Sequence, residues 1–381
     1  MKLLPIPLFI FLLLTIFSCQ HSAQHQQGEK ELLAEKIDSL VSNYYTQQQF
    51  SGAILIADEG EIILQQEYGF TDIDSTYLIN TSSVFEIASI SKQFTALLVM
   101  KMKEKGALSY NDKLTKFFPE LPYSNISIRN LLTHTSGLSE RHFFGWAGQQ
   151  QRKNPKKIFH NEDILKYLTE TKPEPVFEPG AKWEYSNVGY FLLALILQEV
   201  SDMHYISLLK QEILEPLKMN NSGIYSEKFK GTEMDTYTFG KLYNPKDSVY
   251  ISSYGMTWSD SLYGSVGILS NTTDLLKWDK ALYNDQLVDK ETMTEALSSY
   301  PLADGSSSNY GFGWYVKEEF LVDGINRGKR LDHNGLWPGY ESSIVRYIDH
   351  EKTIIILANQ SPSVKDKLIE EISSLIFETK D

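Results

Sequence analysis

A single cysteine, Cys19, stands among 381 residues. A lone thiol closes no internal disulfide, so the fold has to hold by its core, and a chain of this length can bury a substantial one. Basic charge is also scarce: 36 Lys and Arg face 49 Asp and Glu, a formal charge of −13. With no basic stretch to displace counterions from phosphates, the composition argues against nucleic-acid binding, and a charged substrate would need local capture. The eight histidines include no His-x-His and no His-Glu-x-x-His, so no metal and no cofactor are expected. Acidic pairs are plentiful, yet no spacing among them singles out a glycosidase dyad. Internal repeats are absent. The apolar run from Leu3 to Ser18 covers 16 residues. That is short of the ~20 a spanning helix needs, and Pro5 and Pro7 weaken it further.

Lys2 followed by that run reads as an export signal, residues 1–18. Ile16-Phe17-Ser18-Cys19 is similar to a bacterial lipoprotein signal, although Phe17 is bulky for its place. Cys19 is therefore the expected lipid attachment, the alternative being an unused signal-peptide residue. Residues 19–29 then form the lipidated cysteine and a polar, coil-like tether. The expectation is an exported bacterial lipoprotein, periplasm-facing or on the outer membrane.

Apolar spacing predicts a helix from Glu29 to Tyr45. Two strand-like runs, 53–57 and 61–64, flank Asp58-Glu59-Gly60 and suit a hairpin. A helix follows from Ser89 to about Lys105, stopped by Gly106. Between 106 and 300 the pattern is mostly helical, at 128–133, 162–169, 188–200, 205–214, 272–282 and 290–297, with no element assigned in 222–262. Strands return at 312–316, 330–333, 342–348 and 353–358 before a helix at 365–377. Strands at both ends imply a shared, mainly antiparallel sheet flanked by helices, built from 30–105 and 301–381, with an inserted helical domain at 106–300. The class is α+β.

Three motifs carry chemistry. Ser89-Ile90-Ser91-Lys92 opens an apolar helix, which puts a hydroxyl and an amine on one face. Phe94, Leu97 and Leu98 hold that helix in a core that desolvates the amine and lowers its pKa. The pattern recurs at Ser207 to Lys210, inside an amphipathic helix, so the letters alone do not choose. Tyr185-Ser186-Asn187 follows the Glu178-Pro179-Gly180 turn. A phenol of lowered pKa can act as general base there, and the amide can hold a substrate carbonyl or steady an ammonium. Its second copy, Tyr123-Ser124-Asn125, lies in a Pro-flanked stretch. His333-Asn334-Gly335 ends a predicted strand, where glycine permits close approach of a ligand and the Leu336 N–H can face an oxyanion. Standing alone, His333 reads as a structural histidine, and His134 does as well.

The order of these motifs resembles the serine β-lactamase-like family of class C β-lactamases, D-alanyl-D-alanine carboxypeptidases and esterases, over roughly Phe50 to Gln360. Leu131 to Leu138, Pro179-Gly180 and Gly264 to Ser270 add to the likeness. The resemblance implies a β-lactamase/transpeptidase-like fold, Ser89 as acylated nucleophile, and Lys92 and Tyr185 as a coupled proton-transfer pair. Asn187, His333 and Gly335 would bind substrate, and the backbone N–H groups of Ser89 and Leu336 would form the oxyanion hole. Where class C enzymes have Lys-Thr-Gly, this chain has His333-Asn334-Gly335, which loses a cation and puts efficient β-lactam hydrolysis in question. Leu336 and Trp337 should narrow the acyl pocket. The expected function is a serine acyl hydrolase acting on D-amino-acid peptides, small esters or amides, or β-lactams. The alternative is a non-catalytic binding or sensor lipoprotein. Expected partners are a small-molecule or peptide substrate and a membrane reached through the lipid.

Overall fold

The computed structural model describes residues 8–224, 238–244, 249–252 and 261–378. The helix α1 (Leu8–Thr46) leads into the hairpin of β1 (Gly52–Asp58) and β2 (Glu61–Tyr68), and a short β3 (Phe85–Glu86) precedes α2 (Ser91–Glu104). Then come α3 (Leu114–Phe117), α4 (Ile128–Leu132), α5 (Glu140–Lys153), α6 (Asn161–Thr171), α7 (Asn187–Ser201) and α8 (Tyr205–Leu209). A mixed stretch follows with β4 (Gly223–Ile224), β5 (Lys241–Asn244), β6 (Val249–Ser252), β7 (Ile268–Ser270), α9 (Thr272–Ala281) and α10 (Lys290–Ala296). The chain closes with β8 (Tyr315–Lys317), β9 (Leu321–Val322), β10 (Ile325–Asn326), β11 (Arg330–Trp337), β12 (Tyr340–Tyr347), β13 (Lys352–Ala358), β14 (Gln360–Ser361) and α11 (Lys365–Ile376).

The terminal segments do share one antiparallel sheet, ordered β2-β1-β13-β12-β11-β8. Its hairpin turns through Glu59 and Gly60, both at positive φ (49° and 73°), the conformation a two-residue turn needs to match strand twist. Period-two alternation sorts the sheet residues. Ile54, Ile56, Val345 and Ile354 pack with Ile37 and Val41 of α1 and Leu368 and Ile372 of α11. Ala53, Leu55, Leu331 and Ile355 face the helical core.

The packing cuts across the chain boundaries expected at 105 and 300. The helix α2 packs on α7 and α8, whereas α9 lies on β1 and β13. Phe94 of α2 stacks on Trp278 of α9 at 4.2 Å, and Trp278 Nε1 donates to Gln93 Oε1 at 3.0 Å, so the two helices join the layers.

Other expectations shift locally. The first helix begins at Leu8, not Glu29. Residues 20–28, expected as a coil, are helical because Gly28 is the one poor helix former among them and no proline interrupts. Residues 1–7 and the side chain of Cys19 lie outside the described residues. In 222–262, where no element was assigned, short strands occur at 223–224, 241–244 and 249–252. Such two- to four-residue strands are set by pairing partners, and they are too short to show a period.

Arg346 on β12 is fully buried, its Nε donating to Asp279 Oδ1 of α9 at 2.5 Å, while Thr353 donates to Asp279 Oδ2 at 2.9 Å. Removing the carboxylate would strand a guanidinium in the core. Asp279→Ala should therefore cost about 3–5 kcal/mol, read as a lower midpoint in denaturant unfolding.

Candidate active site

Ser89 does not open the α-helix, as the sequence suggests, but precedes it. It sits in a 3-10 turn, Ala88–Ile90, and α2 begins at Ser91. Ala88 is held at φ +47°, an unfavourable conformation for a residue with a Cβ. The buried carboxylate of Glu86 holds it by accepting the N–H groups of Ala88 (2.9 Å) and Gly267 (3.1 Å). Ser89 is thereby presented at the surface of a cleft, half-buried.

Lys92 is completely buried. Its Nζ lies 3.1 Å from Ser89 Oγ, 2.7 Å from Asn187 Oδ1 and 3.1 Å from the carbonyl of Ser265. Burial pushes its pKa well below the ordinary lysine value, against a smaller opposing pull from Glu140. On the other side of Ser89 Oγ, the hydroxyl of Tyr185 donates at 2.8 Å. The phenol does not have the lowered pKa expected of a general base. Burial drives it well above the ordinary tyrosine value, and the bond to Ser89 only partly offsets this. At rest it is an acid and a donor. The Lys92 Nζ sits 4.7 Å from its ring centre.

Asn187 is the first residue of α7. Its Oδ1 accepts from Lys92 and from the hydroxyl of Ser265, and its Nδ2 donates to Glu140 Oε2 at 2.7 Å. His134, expected to be structural, lies behind Tyr185 with ring centres 4.4 Å apart, and its Nδ1 accepts the Ser186 N–H at 3.2 Å.

His333 is buried on β11 with both ring nitrogens engaged. Its Nδ1 meets the carbonyl of Asn334 at 2.8 Å and its Nε2 meets the hydroxyl of Tyr310 at 2.9 Å. The carbonyl requires N–H on Nδ1, which leaves Nε2 to accept from Tyr310. Burial, helped by the nearby Lys92, pushes its pKa down to about 3, so the ring is neutral at physiological pH. Gly335 permits a close approach, but to protein. A Cβ there would lie 2.2 Å from the Ile87 carbonyl and 2.1 Å from Ser342 Oγ, so only glycine lets β11 touch the turn that carries Ser89.

The resulting cleft has a volume of about 420 Å³ and is lined by Ser89, Tyr185, His333, Asn334 and Leu336, together with Tyr315, Lys317 and Asp332. The leucine side chain is 69% exposed. Lys317 and Asp332 are 3.5 Å apart and partner each other.

The second copies of the motifs lie elsewhere. Ser207 and Lys210 are exposed, and the Tyr123 hydroxyl donates to the Pro173 carbonyl at 3.0 Å. Sequence reasoning missed Glu140, Tyr310 and Tyr315, which belong to no spaced motif. Glu140 had one available signal, its place at a helix start just after the Leu131 to Leu138 stretch.

Gly335→Ala should push β11 off the Ile87–Ser89 turn. We expect a loss of about 1–3 kcal/mol in thermal or denaturant unfolding, together with slower reaction at Ser89.

Known proteins share the fold and part of the sequence of this chain. The beta-lactamase family model matches residues 37–374. Penicillin-binding protein 4* of Bacillus subtilis is 35% identical over 348 residues, covering 90% of this chain and 72% of that protein. Protein flp of Staphylococcus aureus is 25% identical, covering 91% of this chain and 67% of that protein. Among solved structures, the octameric penicillin-binding protein homologue from Pyrococcus abyssi matches with a TM-score of 0.75 at 23% identity, over 91% of this chain and 78% of that one. The D-amino acid amidase from Ochrobactrum anthropi SV3 matches with a TM-score of 0.74 at 18% identity, over 91% and 99%. These two structural likenesses show a common fold, and the family model with the 35% identical relative shows descent. The chain belongs to the beta-lactamase family of serine hydrolases.

Proposed function

We propose that this protein is a serine acyl hydrolase that forms an acyl-enzyme on Ser89 and releases it to water. The observation that carries the reading is Ser89 Oγ held between a desolvated amine at 3.1 Å and a phenol donor at 2.8 Å. A neutral amine can take the hydroxyl proton as Oγ bonds to the substrate carbonyl carbon. The carbonyl oxygen becomes an oxyanion, facing the backbone N–H groups of Ser89 and Leu336 in the proposed oxyanion hole. When the tetrahedral intermediate collapses, the bond to the leaving nitrogen or oxygen breaks and Tyr185 supplies its proton. Lys92, now an ammonium, returns a proton to Tyr185. Water then attacks the acyl-serine with the same groups working in reverse.

Preferred substrates are D-amino-acid peptides and small esters or amides, with β-lactams reacting slowly. A relative named as a penicillin-binding protein and fold neighbours named as a D-amino acid amidase and a D-alanine carboxypeptidase support this range. The neutral His333 and the paired Lys317 support weak affinity for the carboxylate of a β-lactam.

A fluorophosphonate or fluorescent penicillin should label the chain covalently, and Ser89→Ala should reduce labelling to background. Persistent labelling of that variant would refute the nucleophile. The sign of the pH dependence follows from Lys92. Its lowered pKa makes more of the base form available at a given pH than an ordinary lysine would have, and labelling should fall about tenfold per pH unit only below that pKa. A decline that already begins at about pH 10, the ordinary lysine range, would count against a desolvated Lys92, and a rate with no acid limb would count against the amine as base.

We further propose export and lipid anchoring at Cys19, supported by the Lys2 and Leu3-to-Ser18 pattern ahead of Ile16-Phe17-Ser18-Cys19. Cys19→Ser should move the protein from the membrane to the soluble fraction on ultracentrifugation of a bacterial lysate, and unchanged sedimentation would exclude the anchor.

A further inference from the structure

The carboxylate of Glu140 stands between two helix starts. It is the first residue of α5, and its Oε2 accepts the backbone N–H of Asn187 (3.0 Å), the first residue of α7. That N–H would otherwise be an orphan donor, because the capping residue Ser186 turns its hydroxyl to the Leu138 carbonyl at 2.5 Å. The same Oε2 accepts Asn187 Nδ2 at 2.7 Å.

An asparagine amide has a donor end and an acceptor end of nearly the same shape, and its surroundings decide which way it points. Here a carboxylate, which only accepts, stands at one end. At the other stand Lys92 Nζ and the Ser265 hydroxyl, both donating. A flipped amide would set its oxygen against that carboxylate, with no hydrogen between them, and would give up the two bonds Oδ1 now accepts. Glu140 thus orients Asn187, and Asn187 is the shortest of the three contacts holding Lys92.

The groups facing Lys92 from each packed element are Ser89 on its own turn, Tyr185, Asn187 and Tyr190 at α7, the Ser265 carbonyl, and the rings of His134 and His333. Burial keeps both of those rings neutral and both of those phenols protonated. Among the described residues, Glu140 is the carboxylate whose charge reaches the amine, and it opposes the loss of the proton.

We propose that Glu140 is a positioning residue for this site, whose carboxylate fixes the amide orientation of Asn187 and whose charge acts directly on Lys92. The inference deepens the hydrolase reading and rests on it for its kinetic consequences.

The test uses the unreacted full chain with lysine Cε carbons labelled for NMR, the Lys92 signal being assigned by its loss in Lys92→Gln. Glu140→Gln keeps an oxygen able to accept both N–H groups and removes the charge. The titration midpoint of Lys92 should fall by about one pH unit, and the acid limb of fluorophosphonate labelling should move down with it. Above that limb, Glu140→Gln should label within about threefold of the unsubstituted chain, whereas Glu140→Ala, which frees the amide, should label at least about tenfold more slowly. A Lys92 midpoint unchanged in Glu140→Gln overturns the proposal, as does labelling of Glu140→Ala at the unsubstituted rate. If the unsubstituted chain takes no label at any pH, the hydrolase reading falls, and the midpoint still decides the role of Glu140.

Discussion

Taking one amine out of water is the constraint on which the site depends. An ammonium as deeply buried as Lys92 loses hydration worth several kcal/mol, which three oxygen contacts only partly replace. The neutral amine is favoured, and its neighbour is a serine hydroxyl. The same desolvation acts with opposite sign on Tyr185, whose phenol is kept protonated. Ser89 Oγ therefore lies between an amine whose burial favours the uncharged form and a phenol that burial keeps protonated. One environment pushes the two pKa values past each other, an arrangement suited to moving a proton in and out of a single reacting centre.

That environment is built where the two layers of the fold meet. The helix α2 carries Lys92 into the helical core against α7, while Phe94 on the same helix stacks on Trp278 of α9, which covers the sheet. From the sheet side, β11 comes so close to the Ile87–Ala88 backbone that position 335 tolerates no side chain, and Ser342 Oγ on β12 donates to the Ile87 carbonyl at 2.8 Å. Glu86 holds the strained Ala88 in place and ties it to Gly267, two residues after Ser265. Ser89, Lys92 and the strand edge are thus rigidly related through contacts between distant parts of the chain.

Within this frame the third motif supplies shape in place of charge. His333 is neutral, held on both nitrogens, and backed by an aromatic layer in which Tyr310 and Tyr315 lie 5.0 Å apart. Substrate entering the cleft meets aromatic faces, the exposed Leu336 side chain and an already paired Lys317.

Much of this was legible in the residues. The strand-helix-strand order named the shared sheet because β1 and β13 are continuous apolar runs, and the Ser89/Lys92 spacing placed both groups on one side of a turn. The motif letters chose their own positions only through their surroundings, and the second copies at 207 and 123 prove to be a surface face and a packing tyrosine. Other features could not be read in one dimension. Glu140 is 47 residues from the asparagine it orients, the Tyr185 pKa moves up because of what buries it, and the division into layers follows contacts of α2 and α9, not chain order. Local letters determine turns, periodicity and the presence of reactive side chains, since those depend on near neighbours. Protonation, amide orientation and the shape of the cleft were decided by the tertiary structure, because desolvation and hydrogen-bond partners come from segments that only folding brings together.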